Sequence, residues 1–193
     1  MQETDFSPRS FDMRDVKILD VKKLEMKEFN GLAFSEISDL AYDEEGLFAL
    51  SDKGYVFRLD LEIKNNKIYR LEIKDAFWLK NKKGERFPRK KRDAEGMDLH
   101  QGSLLISFEG RPKVSLFDMQ GVKNKNYEIA PVLKDIKNYQ GKNSALESVT
   151  MHPVLGVITA PQKPLNHADK SMHTLFSKKY RWHFKADADI SAI

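Results

Sequence analysis

Hydrophobic positions along this chain come in short runs, either alternating with polar residues or apolar throughout, and turn-forming residues break them up. That is the rhythm of β-strands. No segment sustains a 3.6-residue period, so the pattern predicts an all-β protein. Val16 to Met26 partly alternates and reads as a strand, and Phe29 to Phe34 contains a Gly turn. Ile37 to Tyr42 and Leu47 to Ser51 form a hairpin about Asp43-Glu44-Glu45-Gly46. Tyr55 to Leu61 and Lys67 to Ile73, separated by Asn65-Asn66, complete a four-stranded meander.

The rhythm then returns twice. Met97 to Leu99 and Leu104 to Phe108 make a second hairpin, with Val114 to Phe117 and Tyr127 to Leu133 as its outer pair. Lys134 to Lys142 reads as a linker with room for a helical turn. Ser148 to His152 and Gly156 to Ala160 make a third hairpin, followed by a Pro-rich break at Pro161 to Pro164. Met172 to Phe176 and Tyr180 to Lys185 close that unit.

A gapless alignment of the three hairpins places Ser38, Glu95 and Glu147 at one position, and Asp52, Glu109 and Pro161 at another, fourteen residues on in each unit. A basic residue follows each unit: Lys53, Arg111 and Lys163. The starts at 38, 95 and 147 are 57 and 52 residues apart. A repeat of about 50 residues, each unit a four-stranded antiparallel meander, is the mark of a β-propeller. In such blades the first strand lines the channel and the second runs back beside it. Ser38, Asp52, Glu95, Glu109 and Glu147 are therefore expected to ring one channel mouth. Residues 1–15 read as a polar arm, and 16–193 as a partial propeller of about three blades. The chain ends Ser191-Ala192-Ile193, echoing Ser144-Ala145-Leu146 before Glu147, so it is expected to be the N-terminal part of a longer propeller. Open edge strands make self-association an expected property.

Composition narrows the function. There are 33 basic and 29 acidic residues, a formal net charge of +4, and no cysteine, which rules out disulfides and thiolate metal sites. No apolar run reaches the ~18 residues of a membrane span, and the first residues lack the apolar core of a signal peptide. A periplasmic or secreted protein whose signal is not in this chain fits these features, and so does a cytosolic one. Much of the basic excess lies in Lys80 to Arg92, read as a solvated loop because no aromatic platform or nucleic-acid motif accompanies it. No nucleic-acid partner is expected. His100 and His152 share a repeat position in turns opposite the carboxylates and read as turn residues. Trp78 and Trp182 read as packing between blades. Ser38 lacks a G-x-S-x-G context and does not read as a nucleophile.

Three stretches, Ile37 to Gly54, Asp93 to Arg111 and Asn143 to Leu165, resemble the bacterial phytase-like family named for the "esterase-like activity of phytase". The resemblance implies a propeller, often exported, with a link to phosphoester or ester hydrolysis. Carboxylates converging on a channel mouth repel one another, and hard oxygen donors suit Ca²⁺ or another divalent ion. On that reading Asp52, Glu95, Glu109 and Glu147 are metal ligands, with Glu95, Glu109 and Glu147 also the catalytic candidates. Lys53, Arg111 and Lys163 would hold a small anionic phosphoester or ester substrate. Two alternatives stay open: each acid pairs with a neighbouring cation or caps backbone N–H groups at a strand end, or the propeller binds a ligand or partner on the same face without catalysis.

Overall fold

The computed structural model describes residues 2–3, 17–25, 27–44, 46–141, 143–186 and 188–191. Most of the expected polar arm lies outside the described residues, as do Val16, Met26, Glu45, Ala192 and Ile193. Two small antiparallel pairs open the fold. The first joins β1 (Gln2–Glu3) to β2 (Lys22–Lys23), and the second joins β3 (Glu28–Phe29) to β4 (Leu32–Ala33). Of the expected strand from Val16 to Met26, only Lys22–Lys23 is strand among the described residues.

Three four-stranded antiparallel sheets follow, each in meander order. The first contains β5 (Ile37–Asp43), β6 (Gly46–Ser51), β7 (Tyr55–Lys64) and β8 (Lys67–Trp78). The second contains β9 (Ala94–Leu99), β10 (Leu104–Phe108), β11 (Lys113–Phe117) and β12 (Lys123–Tyr127). The third contains β13 (Leu146–His152), β14 (Gly156–Pro161), β15 (His173–Phe176) and β16 (Arg181–Phe184). This is the expected all-β construction of propeller blades. The expected strand from Tyr127 to Leu133 is a correction. The fourth strand of the second blade is the polar Lys123–Tyr127, and Pro131–Leu133 is a 3₁₀ turn. The apolar Ile129, Ala130 and Leu133 misled the pattern because they plug a core, beside Tyr139, rather than extend a sheet.

Alternation along the second strand of each blade explains the stacking. In β10, Leu104, Ile106 and Phe108 face the first blade and pack with Phe48, Leu50 and Val56. Leu105, between them, packs with Val149, Val157 and Phe176 of the third. β10 is buried on both faces, so its run is apolar at nearly every position. Each such side chain removed from water contributes about 1.5–3 kcal/mol. On the outer face of the first blade, Ala49, Phe57 and Leu59 pack with Leu32 of the small hairpin.

The first strands of successive blades adjoin, and carboxylates tie them together. Asp39 Oδ2 accepts from the Met97 amide at 2.7 Å. One blade further, Asp98 Oδ2 accepts from the Met151 amide at 2.7 Å and from Thr150 Oγ1 at 3.0 Å. Gly96 sits where β9 meets β13. A Cβ there would lie 2.7 Å from Ser148 Cα and 2.7 Å from Ser107 Oγ, so only glycine allows this approach.

Candidate functional site

Each first strand carries a β-bulge at its start. Pairing skips Ser38 between Ile37 and Asp39, the Glu95-Gly96 pair between Ala94 and Met97, and Glu147 between Leu146 and Ser148. A bulge leaves a residue out of the ladder and re-aims its side chain. The position shared by Ser38, Glu95 and Glu147 in the sequence repeat is thus a shared structural device. The residue after each second strand returns to the same end. The amides of Asp52, Glu109 and Gln162 donate to the carbonyls of Glu36, Asp93 and Ala145. The third blade's counterpart of Asp52 and Glu109 is therefore Gln162, and the expected Pro161 pairs inside the ladder with Leu146. The third hairpin loop, between His152 and Gly156, is one residue longer than that between Asp43 and Gly46.

Carboxylates do converge here. Asp93, Glu95 and Glu109 each place an oxygen within 4.8 Å of the others, and Glu109 is only 5% exposed. Glu109 Oε1 accepts from the Ala145 amide at 3.0 Å, tying the second blade to the third. Burial pushes the Glu95 carboxyl up to about 8, reinforced by the charges of Glu147 and Glu109, while the Ser38 hydroxyl opposes the shift. Burial likewise raises Glu147 to about 7, with Glu109, Asp93 and Asp189 adding to it. Glu109 and Asp93 are raised by burial against the pull of the Ala145 and Gly110 amides respectively. No lysine or arginine forms an ion pair with Asp93, Glu95, Glu109 or Glu147 among the described residues.

Asp93 was not among the sequence candidates, although a signal existed. It stands two residues before Glu95, where the first blade has Glu36 two before Ser38. The third blade has Ala145 there, and its amide holds Glu109.

Asp52 lies beside this group in a 430 Å³ cleft between the first two blades, lined by Glu36, Lys53, Trp78, Arg89, Arg92 and Asp93. Its Oδ1 is buried without a hydrogen-bond partner, and burial, then the Glu36 charge, raises its pKa. Lys53 Nζ is 2.9 Å from Glu36 Oε2 and 3.2 Å from Ser35 Oγ. Lys163 is 3.5 Å from Asp189 in a second cleft with His173 and Gln140. Arg111 is exposed and lines a third with Lys134 and Asp135. Lys53 shares a cleft with an acid of the group, whereas Arg111 and Lys163 line separate ones.

The basic run from Lys80 to Arg92 is more than a solvated loop. Phe87 is buried. The Arg86 and Arg92 guanidiniums lie 4.7 and 4.6 Å from the Trp78 ring centroid, and Arg92 Nε donates to the Phe87 carbonyl at 2.6 Å. The loop packs onto Gly54 (φ +79°), where an added Cβ would lie 2.9 Å from Arg92 Cβ. Two arginines of the run, Arg89 and Arg92, line the cleft. His100 and His152 behave as turn residues, the His100 amide donating to the Ser103 carbonyl and His152 Nδ1 accepting from the amides of Val154 and Leu155. Trp78 packs against Tyr55, but Trp182 is 37% exposed, contrary to its expected place between blades.

No helix among the described residues is long and apolar enough to cross a membrane. No curated protein matches the chain. The family model described as phytase-like, "esterase-like activity of phytase", matches residues 32–188, most of the chain, which therefore belongs to that family.

Proposed function

We propose that the mouth of these blades is a divalent-metal-assisted site for hydrolysis of phosphoester or ester bonds. The observation that carries the reading is the group Asp93, Glu95, Glu109 and Glu147: partly or wholly buried, mutually repelling and without an ion-paired cation among the described residues. A structural ion-pair network would have partnered these acids, as it does Glu36 and Asp189. Oxygens within 4.8 Å of one another suit a single hard cation, since Ca²⁺ takes oxygens at roughly 2.3–2.6 Å. Asp93, Glu95 and Glu109 would hold the ion, with Asp52 a further donor.

When bound, such an ion would polarise a phosphoryl or acyl oxygen and acidify a water. Glu147, poised at about 7, is matched to accept a proton near neutral pH. The Ala145 amide keeps Glu109 fixed. Lys53, with Arg89 and Arg92, supplies positive charge for a substrate anion in the shared cleft, and Arg111 and Lys163 flank the mouth.

Calorimetric titration with Ca²⁺ at pH 8 tests the reading, run alongside hydrolysis of an aryl phosphate and an aryl ester with and without chelator. Saturable binding that vanishes in the Glu95→Gln, Glu147→Gln variant, with chelator-sensitive hydrolysis, is expected. Absence of divalent-ion binding by the unsubstituted chain would overturn it.

A further inference from the structure

Lys113 is a partly buried lysine in an aromatic setting that the proposed site does not use. It opens β11, paired across the ladder with Phe108, and is partly buried. Its Nζ lies 4.2 Å from the Phe108 ring centroid and 5.1 Å from that of Phe87. Those rings contact each other and Phe117 in a buried aromatic cluster. The charges that act on Lys113 are all positive: Lys123, Lys91 and Arg111. Lys123 Nζ also approaches Phe87, at 5.9 Å. Among the described residues no carboxylate lies within ion-pair distance of Lys113.

An amine in this position is unlike an exposed lysine. Burial disfavours its charged form most, the neighbouring cations add to that, and together they lower its pKa to about 8. The two rings attract the ammonium and offset part of the effect. Desolvation beside other cations is a recognised way to make lysine nucleophilic at neutral pH. The same cations supply a counter-charge for an anionic reactant.

From the phenyl-lined position of Lys113 and the cations around it, we infer that this residue is a covalent capture site for small anionic aldehydes. The neutral amine adds to the aldehyde carbon, forming the N–C bond and passing one proton to oxygen. The carbinolamine then loses its hydroxyl with the remaining amine proton as water, leaving the imine. No redox partner is needed. Lys91, Arg111 and Lys123 hold the anionic group of the reactant. The site lies outside the carboxylate group and does not depend on the hydrolase reading.

The probe is pyridoxal 5′-phosphate at limiting concentration, trapped with borohydride and located by peptide mapping. Lys113 is expected to carry label on the order of tenfold faster than the exposed lysines, because its amine form is more populated near neutral pH although the weaker base is intrinsically less nucleophilic. Its labelling rate is expected to level off above about pH 8. Lys113→Arg, which keeps the charge beside the rings, should abolish that label. Lys123→Met should slow pyridoxal 5′-phosphate more than unphosphorylated pyridoxal at Lys113. Label spread evenly over the lysines, or a Lys113 rate still climbing at pH 10, would overturn the proposal. Circular dichroism of both variants separates a lost amine from a lost fold.

Discussion

Glu95 shows how a single residue can oppose the fold that holds it. The bulge in β9 turns it toward Glu109 and Glu147, and burial makes its ionised form costly. Glu95→Gln keeps the shape and removes the charge. In metal-free protein at pH 8.5 it should raise stability by about 1–3 kcal/mol, seen as a higher urea midpoint, and little at pH 5, where Glu95 is already protonated. A loss of stability at both pH values would mean that the carboxylate makes a structural contact instead. The equivalence of Glu95 and Glu147 was legible in the sequence, because both stand at the same distance from their hairpin turns. Asp93 was not singled out, since one acid two positions upstream looks like ordinary turn chemistry until the Glu109 amide is seen bonded to its carbonyl.

At the scale of elements, neighbouring blades are joined by apolar faces and by carboxylate-to-amide straps. Asp98 accepts from Met151 N and Thr150 Oγ1, bridging β9 to β13. Asp98→Ala would leave the Met151 amide without its side-chain acceptor, and should cost about 2–3 kcal/mol. Hydrogen exchange should show the loss concentrated in β13 and β14. An unchanged exchange pattern would count against the strap. Hairpins were readable because turn residues and apolar alternation mark them locally. The fourth strand of the second blade was not, because Lys123 to Tyr127 is mostly polar and outward-facing, while the more apolar residues after it fill a core. The basic loop is largely solvent-exposed, as its charge indicates, with one buried residue, Phe87. Phe87 and Trp78 draw it onto the first blade.

For the whole molecule, the raised carboxyls couple stability to pH and to cations. Glu95 at about 8 and Glu147 at about 7, against an ordinary value of 4.5, bind protons more tightly folded than unfolded. Their contribution favours the folded state at low pH and is lost as pH rises through 7 and 8. Metal-free protein should therefore lose stability from pH 6 to 8.5. Millimolar Ca²⁺ should restore it, raising the melting temperature by ~5 °C or more at pH 8.5 and by much less at pH 6, where protons compete for the same oxygens. Scanning calorimetry at the two pH values checks this, and a Ca²⁺ effect equal at both would contradict it.

The sequence by itself determined the all-β class, the three hairpin units and the kinship of Ser38, Glu95 and Glu147, because strand period, turn chemistry and repeat spacing are local properties of the chain. Tertiary structure alone decided which charges meet. Glu36 takes Lys53, Asp189 takes Lys163, and Asp93 joins Glu95 and Glu109 without an ion-paired cation among the described residues. Those pairings depend on bulges that re-aim side chains and on the stacking of blades through β5, β9 and β13. Both bring together residues far apart in sequence, at distances that no local pattern encodes.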